Sequence, residues 1–244
     1  MPRNKTVSLN RGNSSQSSSY AFQCEVLRTN RKTLTLYIKH QKVLVRCPLR
    51  ATDKEIDEFI HSNHSWIIDR LKEERIYEKE MLKIEDNRKI FYKAKELTIV
   101  FRERRGKRIL VRRDKFIIQC DQINPMAAKI QVENFLINKA SEYIIPRARG
   151  LAQHLGVDRK ITEVKLRKTK SKWGHCTSKG VIQFNWLIML APYSIIDYII
   201  THEVCHLVHM DHSRHFWNLV ESICPGHKDY VAWLKNHEHR FWFE

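Results

Sequence analysis

Apolar and polar residues alternate along residues 21–47 in three runs, FQCEVLR, TLTLYIK and KVLVRC, parted by short polar turns. A period of two buries one face of a strand, so three strands are expected, closed by Pro48. The period then lengthens. Thr52-x-x-Glu55 has the form of a capping box, and Ile56, Phe59 and Ile60 follow at helical spacing. A second helix is expected from about Ser65 to Ile76, with Trp66, Ile67 and Leu71 on its apolar face. Alternation resumes in IFYKAKELTIVFRE and, past the turn at Gly106, in RILVRRDKFIIQC, which predicts two strand pairs.

Pro125 opens a helical pattern that lasts to about Leu155, with Ile130, Phe135, Leu136, Ile144 and Leu151 as its apolar positions. Pro146 is expected to kink or break this helix, and Gly156 to close it. A strand EVKLRK, a polar turn TKSKWGHCTSKG and an apolar strand VIQFNW follow. The next helix is expected to open near Pro192 or Ser194, where Ser194-x-x-Asp197 again has capping-box form, and to run to about Met210–Asp211. Shorter helices are expected over Ser213–Ile223 and around Tyr230–Lys235, separated by Pro225–Gly226. No internal repeat is visible. The order predicts an α+β fold: a disordered tail over 1–20, a β-rich region with two helices over 21–120, and a mostly helical region with a short β segment over 121–244.

The 244 residues suffice for one large domain or two small ones. The apolar stretch 181–200 is interrupted by Gln183, Asn185, Pro192, Ser194 and Asp197, so no membrane span is expected. The basic, Ser-rich N-terminus lacks the apolar core of a secretory signal. Six scattered cysteines without a C-x-x-C point to free thiols and a cytoplasmic setting. The net charge of +17 favours polyanions, and RERRGKRILVRRDK concentrates it in Arg104, Arg105, Lys107, Arg108, Arg112 and Arg113. Those six are the candidates for contact with nucleic acid, and the bland reading is a solvated turn.

Nine of the thirteen histidines lie after residue 170, and among them is His202-Glu203-Val204-Cys205-His206. Residues four apart on a helix share a face about 6 Å apart along the axis, so both imidazoles can reach one metal ion. Glu203, beside the first of them, is placed to act as general base on a water held by that ion. Composition alone yields H-E-x-x-H in about 5% of chains of this length, so the pentapeptide does not decide the matter. Its position on a strongly apolar helix adds weight, because two buried histidines without a metal need other partners. A catalytic zinc usually takes three protein ligands. His212 ranks first as the third, because Asp211 can turn the chain back toward the metal. His215, inside the next helix, ranks second. His209 ranks third, being about 10.5 Å from His202 on a straight helix.

The segment from Trp173 to Val220 resembles the YgjP-like metallohydrolases, relatives of the SprT-like zincins. The match runs through Trp173-Gly174-His175-Cys176, Gly180, Asn185-Trp186, Pro192, Asp197-Tyr198, His202 to Leu207, and His212-Ser213-x-x-Phe216-Trp217. It is close over 163–243 and weaker over 21–160. The resemblance implies a zincin-like metallopeptidase core with a β-rich N-terminal region. It also implies one Zn2+ per chain on His202, His206 and His212, Glu203 as base, and a peptide or protein substrate. His175 stands where that family has Ser, and Lys172 where it usually has Arg. His175 is therefore a candidate for transition-state contact or for a structural bond within its turn, and His209 and His215 for support of the ligands. The strand VIQFNW is a candidate for pairing with an extended substrate. Two other classes stand beside the peptidase: a nucleic-acid-associated protein with a structural metal, and an inactive scaffold, against which the intact Glu203 argues. A peptidase acting on nucleoprotein combines the first two. Oligomeric state is not readable from the chain.

Overall fold

The computed structural model describes residues 3–7, 22–39, 41–169 and 172–243, and the chain divides into two compact units, residues 1–80 and 81–244. In the first unit the strands are β1 (Arg3–Val7), β2 (Phe22–Thr29), β3 (Thr35–Lys39) and β4 (Lys42–Pro48), in the order β1-β2-β4-β3. Phe22, Cys24, Val43, Val45 and Cys47 point to one face, as the alternation required, and meet Ile56 and Ile60 of α1 (Asp53–Ser62) and Ile67, Ile68 and Leu71 of α2 (His64–Glu80). The capping box of α1 forms in both directions: Glu55 N–H donates to Thr52 Oγ1 at 3.2 Å, and Thr52 N–H donates to Glu55 Oε2 at 2.7 Å. Trp66, expected inside, is half exposed, because Ile67 and Ile68 take the inward positions. The tail expected to be disordered contributes β1, which pairs antiparallel with β2 and satisfies the ladder on that strand's other edge. The rest of that expectation, residues 8–20, lies outside the described residues.

The second unit holds β5 (Lys89–Tyr92), β6 (Lys95–Glu103), β7 (Arg108–Arg112) and β8 (Lys115–Cys120), ordered β5-β6-β8-β7. This is the connectivity of the first sheet. In both, the two central strands run parallel and the outer strands antiparallel, and helices follow. The repeat invisible in sequence is thus present in topology. The expected boundary near 120 is not where the chain divides. The apolar face of β5–β8 is buried against α3 (Pro125–His154) and segments after it, such as Trp233 and Phe241 on Phe91, so residues 82–120 share one core with the rest of the unit. Tyr92, Phe116 and Phe135 pack their rings within 5.7–5.9 Å of one another at that junction.

Helix α3 starts as expected, with Asn124 accepting from Ala127 N–H and Pro at the first position. It buries Ala128, Val132, Leu136, Ala140, Ile144, Ala148 and Ala152, a row with a strict spacing of four, while Ile130 is exposed. Pro146 does not break it. Pro146 and Glu142 both face solvent, so the carbonyl that loses its N–H partner is open to water. Beyond it come β9 (Glu163–Arg167), β10 (Gly174–Cys176) and β11 (Val181–Asn185), in the order β10-β11-β9. β11 stops one residue short of Trp186, because Asn185 accepts from Leu187 N–H and starts a 3₁₀ turn over Trp186–Leu190. The last helices are α4 (Tyr193–Cys205), α5 (Arg214–Ile223) and α6 (His227–His237). Among the described residues no helix is long and apolar enough to cross a membrane. All six cysteines are free thiols.

The capping box expected at Ser194-x-x-Asp197 does not form, because the cap is Pro192 and both residues lie inside α4. Asp197 instead accepts two hydrogen bonds from Arg147 at 2.7 and 2.9 Å and one from Tyr143 Oη at 3.0 Å. This ties α4 to the middle of α3. Burial first, and then the Asp197 charge and hydrogen bond, push the Tyr143 hydroxyl up to about 12, so Tyr143 stays a donor. Replacing Asp197 by Ala should cost about 1–2 kcal/mol, discounted for the exposure of Arg147, and lower the melting temperature with no change in fold. An unchanged melting curve would show that the network is a surface pair without weight.

Candidate metal centre

The side chains of His202 and His206 leave the last turn of α4 on one face, as the four-residue spacing demands. The helix ends at Cys205, with His206 as C-cap, about a turn and a half before the expected end. The reason is local. Cys205 carbonyl accepts from both Val208 and His209 N–H, which tightens the turn, and the freed carbonyls find side chains. Leu207 carbonyl accepts from Lys160 Nζ at 2.9 Å, a cation placed at a helix C-terminus. His209 carbonyl accepts from His206 Nδ1–H at 3.0 Å. Asp211 then accepts from Ser213 N–H at 3.1 Å, turns the chain into α5, and holds its own carboxyl below the usual range through that bonding.

This early stop brings His212 back over α4. His202, His206 and His212 each offer a ring nitrogen, and these atoms lie within 4.8 Å of one another. His212 Nε2 and His202 Nε2 are 3.2 Å apart. Two nitrogens on one tetrahedral ion at about 2.0–2.1 Å would stand about 3.3–3.4 Å apart, so the spacing fits. With its Nδ1 donating, His206 leaves Nε2 free as an acceptor. Burial first, and then the neighbouring imidazoles, lower His202 to about 4; burial also lowers His206. Both rings are therefore neutral and metal-competent at pH 7. His202 Nδ1 is buried with no hydrogen-bond partner among the described residues, so the ring's orientation rests on packing. That packing is Phe216, fully buried, whose ring centroid lies 5.0, 4.5 and 4.9 Å from those of His202, His206 and His212. Trp217 covers His212 at 5.7 Å, and is itself stacked on buried His227, which Glu221 holds at 2.5 Å.

Glu203 is 5% exposed, and burial raises its carboxyl to about 8, against a smaller opposing pull from the Lys172 ammonium. Gly174 makes room for it: a Cβ there would collide with the Glu203 carboxyl and Cγ. The Lys172–Gly174 segment is held by Asn185, which donates from Nδ2 to Thr169 carbonyl at 3.1 Å and reaches Lys172 carbonyl at 3.5 Å.

The other sequence candidates fall in different places. His175 is exposed on β10, close enough for its charge to act on His206, and has no ring in the cluster. The His209 and His215 rings stack on each other at 6.0 Å; His209 supports His206 through its backbone carbonyl, not its imidazole. Arg104, Arg105, Lys107, Arg108, Arg112 and Arg113 are all exposed on and beside the β7–β8 hairpin, with no ion-pair partner among the described residues. They belong to the sheet under α3 and take no part in the histidine cluster. The strand VIQFNW, considered for substrate pairing, is β11, and both of its edges are occupied, by β10 and β9. Reading by sequence passed over His227. Its only signal is that it follows Pro225–Gly226, six residues after Glu221.

Two outcomes follow from the crowding around Glu203. Gly174→Ala should destabilise by about 1–3 kcal/mol, and adding Glu203→Ala should restore most of that. Additive losses would show that the new methyl meets something else. The second outcome concerns pH in chelator-treated protein. The unfolded chain loses the Glu203 proton near pH 4.3 while the folded chain keeps it to about 8, so the folded state binds more protons between those values. Glu203 therefore contributes a loss of stability as pH rises from about 4.5 to 8, which the depressed His202 opposes below about 6.5, and Glu203→Gln should make the slope of melting temperature against pH more positive over that window.

Comparison with known proteins gives a similar solved structure and a family. A solved structure, the crystal structure of the metallopeptidase zymogen of Pyrococcus abyssi abylysin, is 23% identical over 39% of this chain and 95% of that one, with a TM-score of 0.35. No curated protein matches. The family described as YgjP-like, metallopeptidase domain matches residues 32–237, most of the chain, and includes the whole histidine cluster and Glu203. The protein, an α+β metal-dependent hydrolase, belongs to the YgjP-like metallopeptidase family.

Proposed function

We propose that this chain is a zinc peptidase of the zincin type, in which His202, His206 and His212 hold one ion and Glu203 is the general base. The observation that carries the reading is the convergence of three ring nitrogens, at least two of them on neutral imidazoles, beside a buried carboxyl. Imidazole donors suit zinc, although nickel, cobalt and copper share that preference. A bound ion supplies Lewis-acid polarisation of the scissile carbonyl and a water that loses its proton near neutral pH.

The rest is done by the protein. Glu203 accepts the proton of the attacking water on a carboxylate oxygen and passes it to the leaving nitrogen. Glu203 would be held ionised, below its raised value, when the site is loaded with a dication. Phe216 and Trp217 exclude water from the far side of the three rings. An extended substrate pairs with β10, which among the described residues has a neighbour on one edge only. β10 also carries Gly174 over Glu203, so a backbone added there passes directly above the base.

Metal analysis by mass spectrometry tests the ligand set. About one zinc per chain is expected in the wild type, with sharp loss in His202→Ala and in His212→Ala. Glu203→Gln should keep the metal and lose peptide hydrolysis by at least about a hundredfold. Full activity in Glu203→Gln would sink the mechanism, and metal retained in both histidine variants would sink the ligand set.

A further inference from the structure

The basic hairpin takes no part in the metal centre, and its first strand borders a groove. β7 pairs with β8 alone, so among the described residues its other edge is free. Every second residue of such a strand turns its N–H and C=O away from its neighbour, and these groups are open to a further strand. Alongside β7 runs the first half of α3, and the two enclose a groove of 390 Å³. Ile109, Ile130 and the half-buried Phe135 give it apolar walls, and Asn134 and Asn138 add exposed amides. Lys107 and the start of β7 at Arg108 stand at its mouth. From Arg104 to Arg113 six of ten residues are Arg or Lys and none is acidic. Two neighbouring carboxylates, Glu103 and Asp121, are taken by the N–H groups of Ile123 and Gly106 at 3.3 and 2.8 Å.

We infer that the β7 edge and this groove bind an acidic polypeptide segment as an added strand, in which apolar residues alternate with acidic ones. An edge strand beside a helix is an arrangement that holds extended peptides: the strand supplies backbone hydrogen bonds and the groove reads alternate side chains. The pattern of the occupant follows from the pattern of β7. Ile109 lies opposite Ile118 and packs on the core beneath α3. By the period of two, Arg108 and Arg112 point to the other face of the sheet. A strand laid along β7 keeps the same alternation. Its residues beside Ile109 and Val111 face the groove and are apolar. Those beside Arg108 and Arg112 are Asp or Glu, at a cross-strand distance of about 5 Å.

Charge selects among the possible occupants. A second copy of this chain would bring the same arginine-rich edge and set like charges against each other. Nucleic acid would satisfy the cations, but bases are held by open aromatic faces. The one ring in the groove, Phe135, is half-buried and packed on Tyr92 and Phe116. An acidic peptide satisfies the cations, the free edge and the apolar walls together.

The test uses the full-length chain and a fluorescent peptide with the core Glu-Leu-Thr-Leu-Glu. The comparison probes are the same residues reordered as Leu-Leu-Thr-Glu-Glu, the core with Lys in place of both Glu, and a short oligothymidylate. Fluorescence anisotropy should show the alternating acidic peptide binding at least about tenfold more tightly than the reordered or lysine peptide. Arg108→Glu combined with Arg112→Glu should reverse the preference, so that the lysine peptide binds better than the acidic one. Ile130→Gln, at an exposed helical position, should weaken the acidic peptide about fivefold and leave its charge preference intact. Hydrogen exchange should slow in the β7 amides when the acidic peptide is bound. Equal binding of the alternating and reordered peptides, or no added protection in β7, overturns the added strand. Binding of oligothymidylate without measurable affinity for the peptide also overturns it and assigns the hairpin to nucleic acid. None of these outcomes depends on metal or on Glu203, so the peptidase reading stands or falls separately.

Discussion

The candidate site of the second unit depends on one packing contact, the meeting of His202, His206 and His212 against the buried Phe216 ring. His202 and His212 set two ring nitrogens 3.2 Å apart, and burial already holds His202 neutral down to about pH 4. At that distance one nitrogen can donate a proton to the other, and a cation between them would take both lone pairs instead. The scaffold around them is correspondingly over-determined. α3 fixes α4 through the Asp197 network, Lys160 fixes the chain where α4 ends, and Asn185 fixes the approach to β10.

The early end of α4 matters more to the site than its length does. A helix that continued to Asp211 would carry His209 up the same face and take His212 out of reach of His202. The helix stops instead at Cys205, and the carbonyls released by stopping are taken up by Lys160 and by His206 itself. The bond from His206 Nδ1 to His209 carbonyl therefore does two things. It satisfies a carbonyl in the turn that follows the helix, and it selects the tautomer that leaves Nε2 free. A residue considered for its side chain contributes through its backbone.

Room is managed as closely as charge. Gly174 has no Cβ because the Glu203 carboxyl occupies that space, and an apolar cleft beside it continues the same opening toward α6. Gly180, at φ +77°, lies close enough to Lys160 carbonyl that a Cβ would overlap it, so the turn between β10 and β11 is pressed against the segment that caps α4. The sheet, the cap and the metal helix are thereby held to one another by contacts that only glycine permits.

Local pattern along the chain carried the α+β class, most strands and helices, and the placing of His202, Glu203 and His206 on one helix with His212 ranked first to join them. The reason is that alternation, the four-residue return of a helix, and the turn chemistry of Asp211 are all local. The true division at residue 80, the passage of α3 through Pro146, and the shared connectivity of the two sheets were decided only by tertiary structure. Each depends on which faces find a partner. The same holds for Asp197, whose capping pattern lost to Arg147 fifty residues away, and for Phe216, whose contact with all three rings has no counterpart in its neighbours along the chain. Trp173, Val231 and Leu234 form the cleft from elements almost sixty residues apart. No periodicity reports such a meeting, because the energy that specifies it is apolar burial, which is blind to sequence distance.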